Sequence, residues 1–566
     1  MAGTTGGQGP IKIVELESKG STPTGLFVSM AQSTFHKLST LILLAIVANA
    51  ATVDVAVPLK APSGAPTLSP SLTSFSIEGD RWTDWSGTTS RNQFFYNALD
   101  NLKQITGAPP KLRIGADSED HTQFRANINV RSTINLILAP LIAPKFQEAV
   151  FPDSTAITPY PEATKLVVGD SYYATTRFLP AGTQVTWGVN LGSDNKTATY
   201  LATRSIVKAF QLSSLQQAGI SLEHIEIGNE PDAFAYWGYR PNATWNVAAW
   251  VADWTNFAKN VSATVPITPI STTKFMSGSF ATLSLGFSPS KAYAAGLLNS
   301  KPGQHLYSGA FCNGGDFLLQ SLMDKTTIRS NLTTLIPDIQ NTHAKGLQYV
   351  LGETNSYACH GAPGVSNTAG ASLWQLDYTL HAYALASIGI SNLYFHQGVG
   401  YKYNMIQPVT LTVSSLTGEP LATPQAPHIQ PQYYSAIIVA EAIGKSTNTR
   451  IVELDVNHPS ITGYAFYSGS KLERAVFINL KGYFSTSTSR TKTTIDLGFA
   501  GKGSPAALMT VKRLAIKYAT DVSGLTWGGQ NYESANARVA GKLSLMETTV
   551  SQGVQISDSE AILIQF

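Results

Sequence analysis

The chain has 566 residues, of which 39 are Lys or Arg and 36 are Asp or Glu, which gives a formal net charge of +3. Charged residues make up only 13% of the chain, about half the usual share, whereas hydrophobic residues reach 43%. This composition excludes a disordered chain, a charge-rich coiled coil and a basic nucleic-acid-binding surface. Two cysteines exclude a disulfide-dense scaffold and a four-cysteine zinc site.

The first recognisable element is a secretory signal peptide over residues 30–50. His36 and Lys37 precede a short apolar run, and Ala48-Asn49-Ala50 supplies the small residues that signal peptidase requires. The apolar run is too short for a membrane anchor, although a buried or anchoring helix is the alternative. Because a signal peptide normally starts at the first methionine, we interpret Met30 as the true start and residues 1–29 as a doubtful N-terminal extension. The protein is therefore expected to be secreted and to have no membrane association after signal removal.

Residues 51–73 are rich in Pro and Ser and are interpreted as a linker or as a strand that joins the β-domain described below. From residue 74 to residue 446, strands alternate with helical stretches, which predicts a parallel sheet covered by helices. Eight strands would suit a (β/α)8 TIM barrel, with a doubly wound sheet as the rival architecture. Seven strands are convincing and the one at Lys274–Phe280 is weak; the seven are Ser74–Glu78, Lys111–Gly115, Gln184–Asn190, His224–Asn229, His305–Phe311, Leu347–Glu353 and Ser391–His396.

Residues 447–566 have a different pattern, in which short strands follow one another with only turns between them. This spacing predicts an all-β sandwich as the C-terminal domain. Its predicted strands are Arg450–Val456, Thr462–Tyr467, Arg474–Asn479, Thr493–Leu497, Leu508–Leu514 and Ala561–Phe566.

Two predicted barrel strands end in a carboxylate. Ile225–Ile227 leads into Gly228-Asn229-Glu230-Pro231, and Tyr349–Leu351 leads into Gly352-Glu353-Thr354-Asn355. In a barrel, both glutamates would lie at the C-terminal rim, where active sites form. A pair of carboxylates, one protonated and one ionised, suits glycoside hydrolysis. Two solvated carboxylates at loop starts are the alternative interpretation.

These motifs resemble glycoside hydrolase family 79 of clan A, the β-glucuronidase and heparanase family, and most closely its fungal secreted members. The resemblance implies Glu230 as general acid/base and Glu353 as nucleophile. It also implies that Asn229 binds the sugar 2-hydroxyl and that Tyr307, in His305-Leu306-Tyr307, steadies the nucleophile. Asp120 is similar to a residue that contacts sugar hydroxyls, and Gln397 at the end of the eighth strand is a further substrate-binding candidate, with packing inside the barrel as its alternative.

The loop after Glu353 departs from the family pattern. Heparanase-like relatives have Tyr-Gly-Gly there, whose groups receive the substrate carboxylate, whereas this chain has Ser356-Tyr357-Ala358-Cys359-His360-Gly361. Tyr357, His360 and the loop N–H groups all stay open as carboxylate ligands. Neutral donors of this kind would bind the carboxylate without depressing the pKa of the nearby acid. Tyr401 and Tyr403 are further candidates, although ordinary loop packing explains them better, and Lys402 is more simply interpreted as solvated.

Cys312 and Cys359 are the only cysteines and are most simply interpreted as one disulfide in a secreted chain, with two buried free thiols as the alternative. Four Asn-x-Ser/Thr sequons predict glycosylation at Asn195, Asn242, Asn260 and Asn331. The histidines show no metal-binding spacing and no Gly-x-Ser-x-Gly elbow is present, so neither a metal, a cofactor nor a serine hydrolase is predicted.

We therefore expect a secreted, retaining exo-β-glucuronidase. It would release glucuronic acid, with or without a 4-O-methyl group, from the non-reducing ends of glycans such as arabinogalactan. A heparanase-like endo-β-glucuronidase is the nearest alternative, but its sulfated substrate requires a cleft rich in Lys and Arg. A non-catalytic carbohydrate-binding protein on a glycosidase scaffold is the third interpretation.

Overall fold

Residues 51–126, 128, 146–265, 271–297, 300–385 and 389–566 are described by the computed structural model. The doubtful extension (1–29) and the predicted signal peptide (30–50) lie outside these residues. Within the part of the chain that the structure describes, no helix combines the length and the apolar character needed to cross a membrane.

Eight parallel strands close into a barrel, so the predicted (β/α)8 architecture is confirmed. Each strand pairs with its neighbours in chain order, and the last strand pairs with the first. The weak strand Lys274–Phe280 is a full member of the barrel. In chain order, barrel strands 1 to 8 are Thr73–Glu78, Leu112–Gly115, Gln184–Val189, Ser221–Ile227, Lys274–Phe280, Ser300–Ala310, Val350–Ala358 and Leu393–Gln397.

Helices cover the outside of the barrel; some bury one apolar face, whereas Ala369–Ala384 and Gln432–Ile443 are buried on almost all sides. Helix Val247–Ser262 buries Trp250, Trp254 and Phe257, and its N-terminus is capped by the Asn246 side chain, which accepts two backbone hydrogen bonds. The main helices are Gln93–Thr106, Lys196–Phe210, Val247–Ser262, Pro289–Ala294, Lys325–Thr333, Ile336–Ala344, Ala369–Ala384 and Gln432–Ile443. Shorter helices are Trp82–Ser86, Asp117–Asp120, Asp170–Ala174, Ser213–Gln217 and Leu319–Leu322.

Two long excursions build walls above the C-terminal end of the barrel. After barrel strand 2 the chain forms a small sheet from Thr122–Phe124, Gln147–Val150 and Lys165–Val168. After barrel strand 8 it forms two ribbons, Ile406–Gln407 with His428–Ile429 and Leu411–Val413 with Pro420–Gln425.

The C-terminal domain is the predicted β-sandwich, and the N-terminal strand Ala51–Pro58 is part of it. One sheet contains Ala51–Pro58, Lys492–Ala500 and Val554–Ser557. The other contains Thr449–Leu454, Ile461–Ser468, Lys471–Asn479, Leu508–Ala515, Thr526–Trp527, Met546–Thr549 and Glu560–Gln565. Both sheets contribute to one apolar core, in which Val55 and Ile495 pack with Phe477 and Ile562.

A buried ion-pair network joins the barrel to the β-sandwich. Arg329 donates to both carboxylate oxygens of Asp377, at 2.7 and 3.3 Å, and to Glu453 at 2.6 Å. Tyr464 of the sandwich donates to Asp377, whose side chain is fully buried. Asp377 lies on helix Ala369–Ala384, which follows barrel strand 7, so this network holds that helix against the β-domain.

Candidate active site

Barrel strand 4 places Glu230 at the rim through an unusual backbone turn. Gly228 has φ of 80° and Glu230 itself has φ of 49°, a left-handed conformation that costs a non-glycine residue about 1–3 kcal/mol. The Glu230 N–H donates to the Ser279 carbonyl at 3.0 Å, and Pro231 then begins a short 3₁₀ turn. This turn directs the Glu230 carboxyl over the end of the barrel.

Barrel strand 7 brings Glu353 to the same end of the barrel. The Tyr307 hydroxyl donates to Oε1 of Glu353 at 2.7 Å, and Nη1 of Arg113 donates to Oε2 at 2.8 Å. One carboxylate oxygen of Glu230, one of Glu353 and one ring nitrogen of His305 all lie within 4.8 Å of one another. Carboxyl groups about 5 Å apart are typical of retaining glycosidases, whereas inverting enzymes hold them about 6.5–9.5 Å apart.

The two carboxyl groups have opposite pKa shifts. Burial raises the pKa of Glu230 well above its usual value, and the charge of Glu353 raises it further. Burial alone would also raise the pKa of Glu353, but His396, His305 and Arg113 outweigh it and lower that pKa to about 2. Of these three groups, Arg113 is the permanent cation. The pair is therefore poised with Glu230 protonated and Glu353 ionised.

Arg113 is the main residue of the site that the sequence did not reveal. It lies inside the barrel on strand 2 and is completely buried. Besides Glu353, its guanidinium donates to Glu226 at 2.6 Å and to Oδ1 of Asn229 at 2.7 Å. The available signal was a lone Arg between Leu112 and Ile114 in a short apolar strand, where only a paired cation is tolerated.

His305 is the second residue whose role depends on the fold. Its Nδ1 lies 2.8 Å from Oε1 of Glu230, and burial lowers the pKa of the imidazole to about 4. A neutral imidazole can hydrogen-bond to Glu230 without favouring its ionisation, as a cation would. Glu230, His305 and Glu353 are also three potential metal ligands, but hydrogen bonds from Tyr307 and Arg113 already engage both oxygens of Glu353.

The predicted substrate-binding residues have different environments. Asn229 is buried with Oδ1 held by Arg113, and Tyr307 contacts Glu353 as the resemblance implied. Asp120 instead accepts hydrogen bonds from the N–H groups of Leu191, Gly192 and Asn229, so its carboxylate holds neighbouring strand ends together. Asp120 therefore has a supporting role in the structure, and its contact with sugar hydroxyls stays a prediction.

Gln397 differs from the predicted substrate-binding role. It is completely buried, and its Oε1 accepts hydrogen bonds from the N–H groups of Met405 and Ile406. Its Nε2 donates to the His396 carbonyl at 2.8 Å. Gln397 therefore holds the loop after barrel strand 8. Its amide is packed inside the barrel, the alternative given above, and is not presented to a substrate.

The other candidates in the loops after barrel strands 7 and 8 are mostly engaged with each other. Tyr357 is buried and packs on Phe317, with ring centroids 4.5 Å apart. His360 stacks on Tyr401 at 3.8 Å. Lys402 is also buried, and its ammonium donates to the Ile157 carbonyl at 3.1 Å, which corrects the prediction of a solvated lysine.

Cys312 and Cys359 form a disulfide between the loops after barrel strands 6 and 7. The bridge begins one residue after the strand that carries Glu353. It links the loop after barrel strand 6 covalently to the loop after barrel strand 7. The predicted pairing therefore braces the loop that contains His360.

We expect the double variant Cys312→Ser/Cys359→Ser to lower the free energy of unfolding. The two cysteines are 47 residues apart, and a bridge closing such a loop stabilises by roughly 4 kcal/mol through the entropy of the unfolded chain. Chemical denaturation of the wild type and the double variant measures the difference. Identical midpoints and slopes would show that the bridge adds nothing to stability.

The four sequon asparagines lie at or near the surface, and their glycosylation stays a prediction. Asn242 is exposed, whereas Asn195, Asn260 and Asn331 are half-buried. Oδ1 of Asn195 caps helix Lys196–Phe210, and Nδ2 of Asn260 donates to the Lys196 carbonyl at 2.7 Å. A glycan on Asn260 would leave one N–H on Nδ2 for that contact.

Comparison with known proteins confirms the predicted relationship. Residues 463–563 match the family model described as the glycosyl hydrolase family 79 C-terminal beta domain. A β-glucuronidase of Aspergillus niger is 28% identical over 526 residues, covering 88% of this chain and 89% of the relative. A β-glucuronidase of Neurospora crassa is 26% identical over 527 residues, covering 85% of this chain and 87% of the relative.

Solved structures support the same fold. A 4-O-α-L-rhamnosyl-β-D-glucuronidase from Fusarium oxysporum superposes with a TM-score of 0.68 at 23% identity, covering 91% of this chain and all of that chain. A family 51 α-L-arabinofuranosidase from Bifidobacterium longum has a TM-score of 0.55 at 13% identity. The barrel and the β-sandwich are thus shared with glycoside hydrolases that differ in substrate.

Proposed function

We propose that this relative of the fungal β-glucuronidases is itself a retaining exo-β-glucuronidase. The observation that carries the proposal is the pair formed by Glu230 and Glu353, with oxygens within 4.8 Å of each other and with opposite pKa shifts. Glu353 attacks the anomeric carbon while Glu230 gives its proton to the leaving oxygen. Glu230 then takes a proton from water, whose oxygen attacks the glucuronosyl–Glu353 ester and releases glucuronic acid in the β-configuration.

The hydrogen bonds around the pair support these roles. Tyr307 and Arg113 stabilise the ionised Glu353 in the free enzyme, and Tyr307 holds the attacking oxygen in place. Asn229 is oriented through Oδ1 by Arg113, which leaves its NH₂ group for the sugar 2-hydroxyl. That contact would strengthen as charge develops on the sugar ring.

The loop after barrel strand 7 offers donors for the sugar carboxylate. Cys359, His360 and Gly361 have φ values of 59°, 69° and 86°, three consecutive left-handed residues. No acceptor among the described residues takes a hydrogen bond from their three N–H groups. Consecutive amides in tight turns form anion-binding concavities. We infer that these amides, rather than the buried Tyr357 or Lys402, receive the carboxylate.

The burial of the two nearby cationic side chains favours the exo mode over the heparanase-like endo mode. Arg113 and Lys402 are both buried and donate to protein oxygens. Neither is presented to a sulfated chain, which requires accessible Lys and Arg. The substrate class that we propose is therefore a glycan with terminal, unsulfated β-glucuronic acid.

Turnover of 4-nitrophenyl β-glucuronide tests the proposed function. We expect hydrolysis at least about 100-fold more efficient than that of the matching β-glucoside, because the loop amides would lack their partner with the glucoside. Proton NMR at early times should show β-glucuronic acid as the first product. Preference for the glucoside, or the α-anomer as the first product, would contradict the proposal.

We also propose that the protein is secreted. The predicted signal peptide, the sequons and the disulfide between Cys312 and Cys359 support this location. N-terminal sequencing of protein recovered from culture medium should begin near Ala51. Retention of the chain inside the cell would contradict secretion.

We expect Arg113→Met to lower both the stability of the fold and the activity at low pH. The substitution leaves Glu226 and Glu353 buried without their shared cation, which costs about 3–5 kcal/mol. The pKa of Glu353 then rises, so the acidic limb of the kcat/KM profile moves to higher pH. Arg113→Lys, which keeps the charge but loses the forked geometry, should show a smaller shift.

Denaturant unfolding and pH profiles with 4-nitrophenyl β-glucuronide measure these effects. An Arg113→Met protein with the wild-type unfolding midpoint and the wild-type acidic limb would show that Arg113 does not control Glu353.

A further inference from the structure

A recess lies at one end of the β-sandwich and is lined by residues outside the barrel. It forms where strands Ala51–Pro58 and Lys492–Ala500 end side by side, next to the turn that precedes strand Lys471–Asn479. Its volume is about 370 Å³, which lies within the range of sites for small ligands, about 300–1,000 Å³. None of its lining residues has a role in the proposed reaction.

Backbone hydrogen bonds hold one wall of the recess in place. The Leu59 N–H donates to the Ala500 carbonyl at 2.9 Å, and the Ala61 N–H donates to the Ser470 carbonyl at 3.1 Å. Ala500 ends a strand of one sheet, whereas Ser470 lies in a hairpin turn of the other. Residues 59–61 are therefore tied to both sheets, and the fold itself positions the side chains of this wall.

The lining of the recess is positively charged. It contains three exposed lysines, Lys60, Lys471 and Lys502, and no acidic side chain. The lining stays net positive even when the main-chain carboxylate of Phe566, another lining residue, is counted against the lysines. Because Lys and Arg together number only 39 in the 566 residues, three lysines around one recess are a local concentration of charge.

Two of these lysines lie directly opposite each other. Lys60 and Lys471 form an isolated antiparallel β-bridge, so their side chains project from the same face of the backbone pair. Like charges in this position repel each other and are destabilising. A bound anion would offset that repulsion, so the arrangement of the pair favours an anionic ligand.

Two phenylalanines add an apolar surface beside the lysines. Phe499 and Phe566 line the recess with their rings edge to face and the ring centroids 5.6 Å apart. Both side chains are only half-buried, so part of each ring is open to a ligand. The apolar face of a sugar ring can pack on such a surface while a carboxylate on the same sugar meets the lysines.

We propose that this recess is a second saccharide site, which binds a uronic-acid residue of an acidic glycan. The site would hold such a glycan on the β-sandwich, independently of the reaction in the barrel. A nucleic acid fits less well, because the chain has a formal net charge of only +3 and a nucleic-acid surface needs an extended basic face.

Calorimetric titration of the protein with trigalacturonate, a trisaccharide of uronic acid, tests the proposal. We expect saturable binding with a Kd of about 0.1–1 mM, which weakens at least about threefold between about 0.05 and 0.5 M NaCl because salt screens the lysines. Maltotriose, a neutral trisaccharide, should bind at least about tenfold more weakly. Equal affinity for the two trisaccharides, or tighter binding of a single-stranded oligonucleotide than of trigalacturonate, would overturn the proposal.

Substitutions that remove charge locate the binding. The triple variant Lys60→Gln/Lys471→Gln/Lys502→Gln should bind trigalacturonate at least about tenfold more weakly than the wild type and hydrolyse 4-nitrophenyl β-glucuronide at the wild-type rate. A matched control, which should bind like the wild type, removes the same charge from three exposed lysines of the β-sandwich outside the recess: Lys492→Gln/Lys517→Gln/Lys542→Gln.

Three results would contradict a separate saccharide site. They are unchanged affinity in the recess variant, equal losses of affinity in the two triple variants, and a loss of turnover that parallels the loss of binding in the recess variant. Because these lysines are exposed, we expect all three proteins to unfold at the same denaturant concentration, and that measurement accompanies the titrations.

Discussion

We expect Glu353→Ala to lower kcat/KM for every β-glucuronide by about 10⁴-fold or more, because the proposed mechanism forms its covalent intermediate on Glu353. Glu353 is buried, is the acceptor for Tyr307 and Arg113, and has a pKa of about 2. It is therefore ionised across the physiological pH range, as the proposed nucleophile must be. Removing it should leave binding of the sugar carboxylate largely intact, so the loss is expected in kcat.

Azide distinguishes loss of the nucleophile from general damage. A small anion can enter the space left by the Glu353 side chain and attack the anomeric carbon from the same face, which gives an α-glucuronosyl azide. Glu419→Gln is the matched control, since Glu419 is exposed in the turn of the ribbon formed by Leu411–Val413 and Pro420–Gln425. Wild-type turnover by Glu353→Ala would remove this residue from the mechanism.

Glu230→Gln has an effect that depends on the leaving group. For a sugar leaving group, loss of the general acid should lower kcat/KM by about 10²–10⁴-fold. For 2,4-dinitrophenyl β-glucuronide, whose leaving group needs no proton, the first step should be nearly unchanged. Azide should then rescue the second step and give the β-glucuronosyl azide, because Glu353 is still the nucleophile.

The pH profile provides an independent check on Glu230. Burial and the charge of Glu353 raise the pKa of Glu230, so its deprotonation is expected to set the alkaline limb of the wild-type profile. With 2,4-dinitrophenyl β-glucuronide, Glu230→Gln should lack that limb. A Glu230→Gln variant with equal losses on both substrates and an unchanged alkaline limb would assign the proton transfer to another group.

The fold could be predicted to an unusual extent because its signals are local. The alternation of short apolar strands and helices indicated the barrel, and even the weak strand Lys274–Phe280 is a full strand in it. The connection between barrel strands 6 and 7 is divided into three helices, Leu319–Leu322, Lys325–Thr333 and Ile336–Ala344. The Asp324 side chain caps the N-terminus of the second helix, and Pro337 lies in the first turn of the third. Each of these two helices therefore has its own N-terminal signal.

Within the candidate site, the sequence predicted a residue's position correctly only where that position follows from the predicted end of a barrel strand. The sequence predicted Glu230 and Glu353 near strand ends, and strands of a barrel end at one rim, so their proximity followed from the pattern. In the structure, barrel strand 7 continues past Glu353 to Ala358. Asp120 and Gln397 also lie near the rim, yet backbone N–H groups of other segments occupy their oxygens. Such hydrogen bonds join residues far apart in the chain, and no local pattern reports them.

The amino-acid sequence by itself determined the barrel, the β-sandwich and the two glutamates, because strand periodicity and strand ends are properties of neighbouring residues. The resemblance implied which glutamate carries the proton, but only the tertiary structure supplies the physical reason. That difference depends on burial and on Arg113 and His305, which are brought to the pair from barrel strands 2 and 6. Electrostatic energies depend on distances through space between such groups, and folding alone sets those distances.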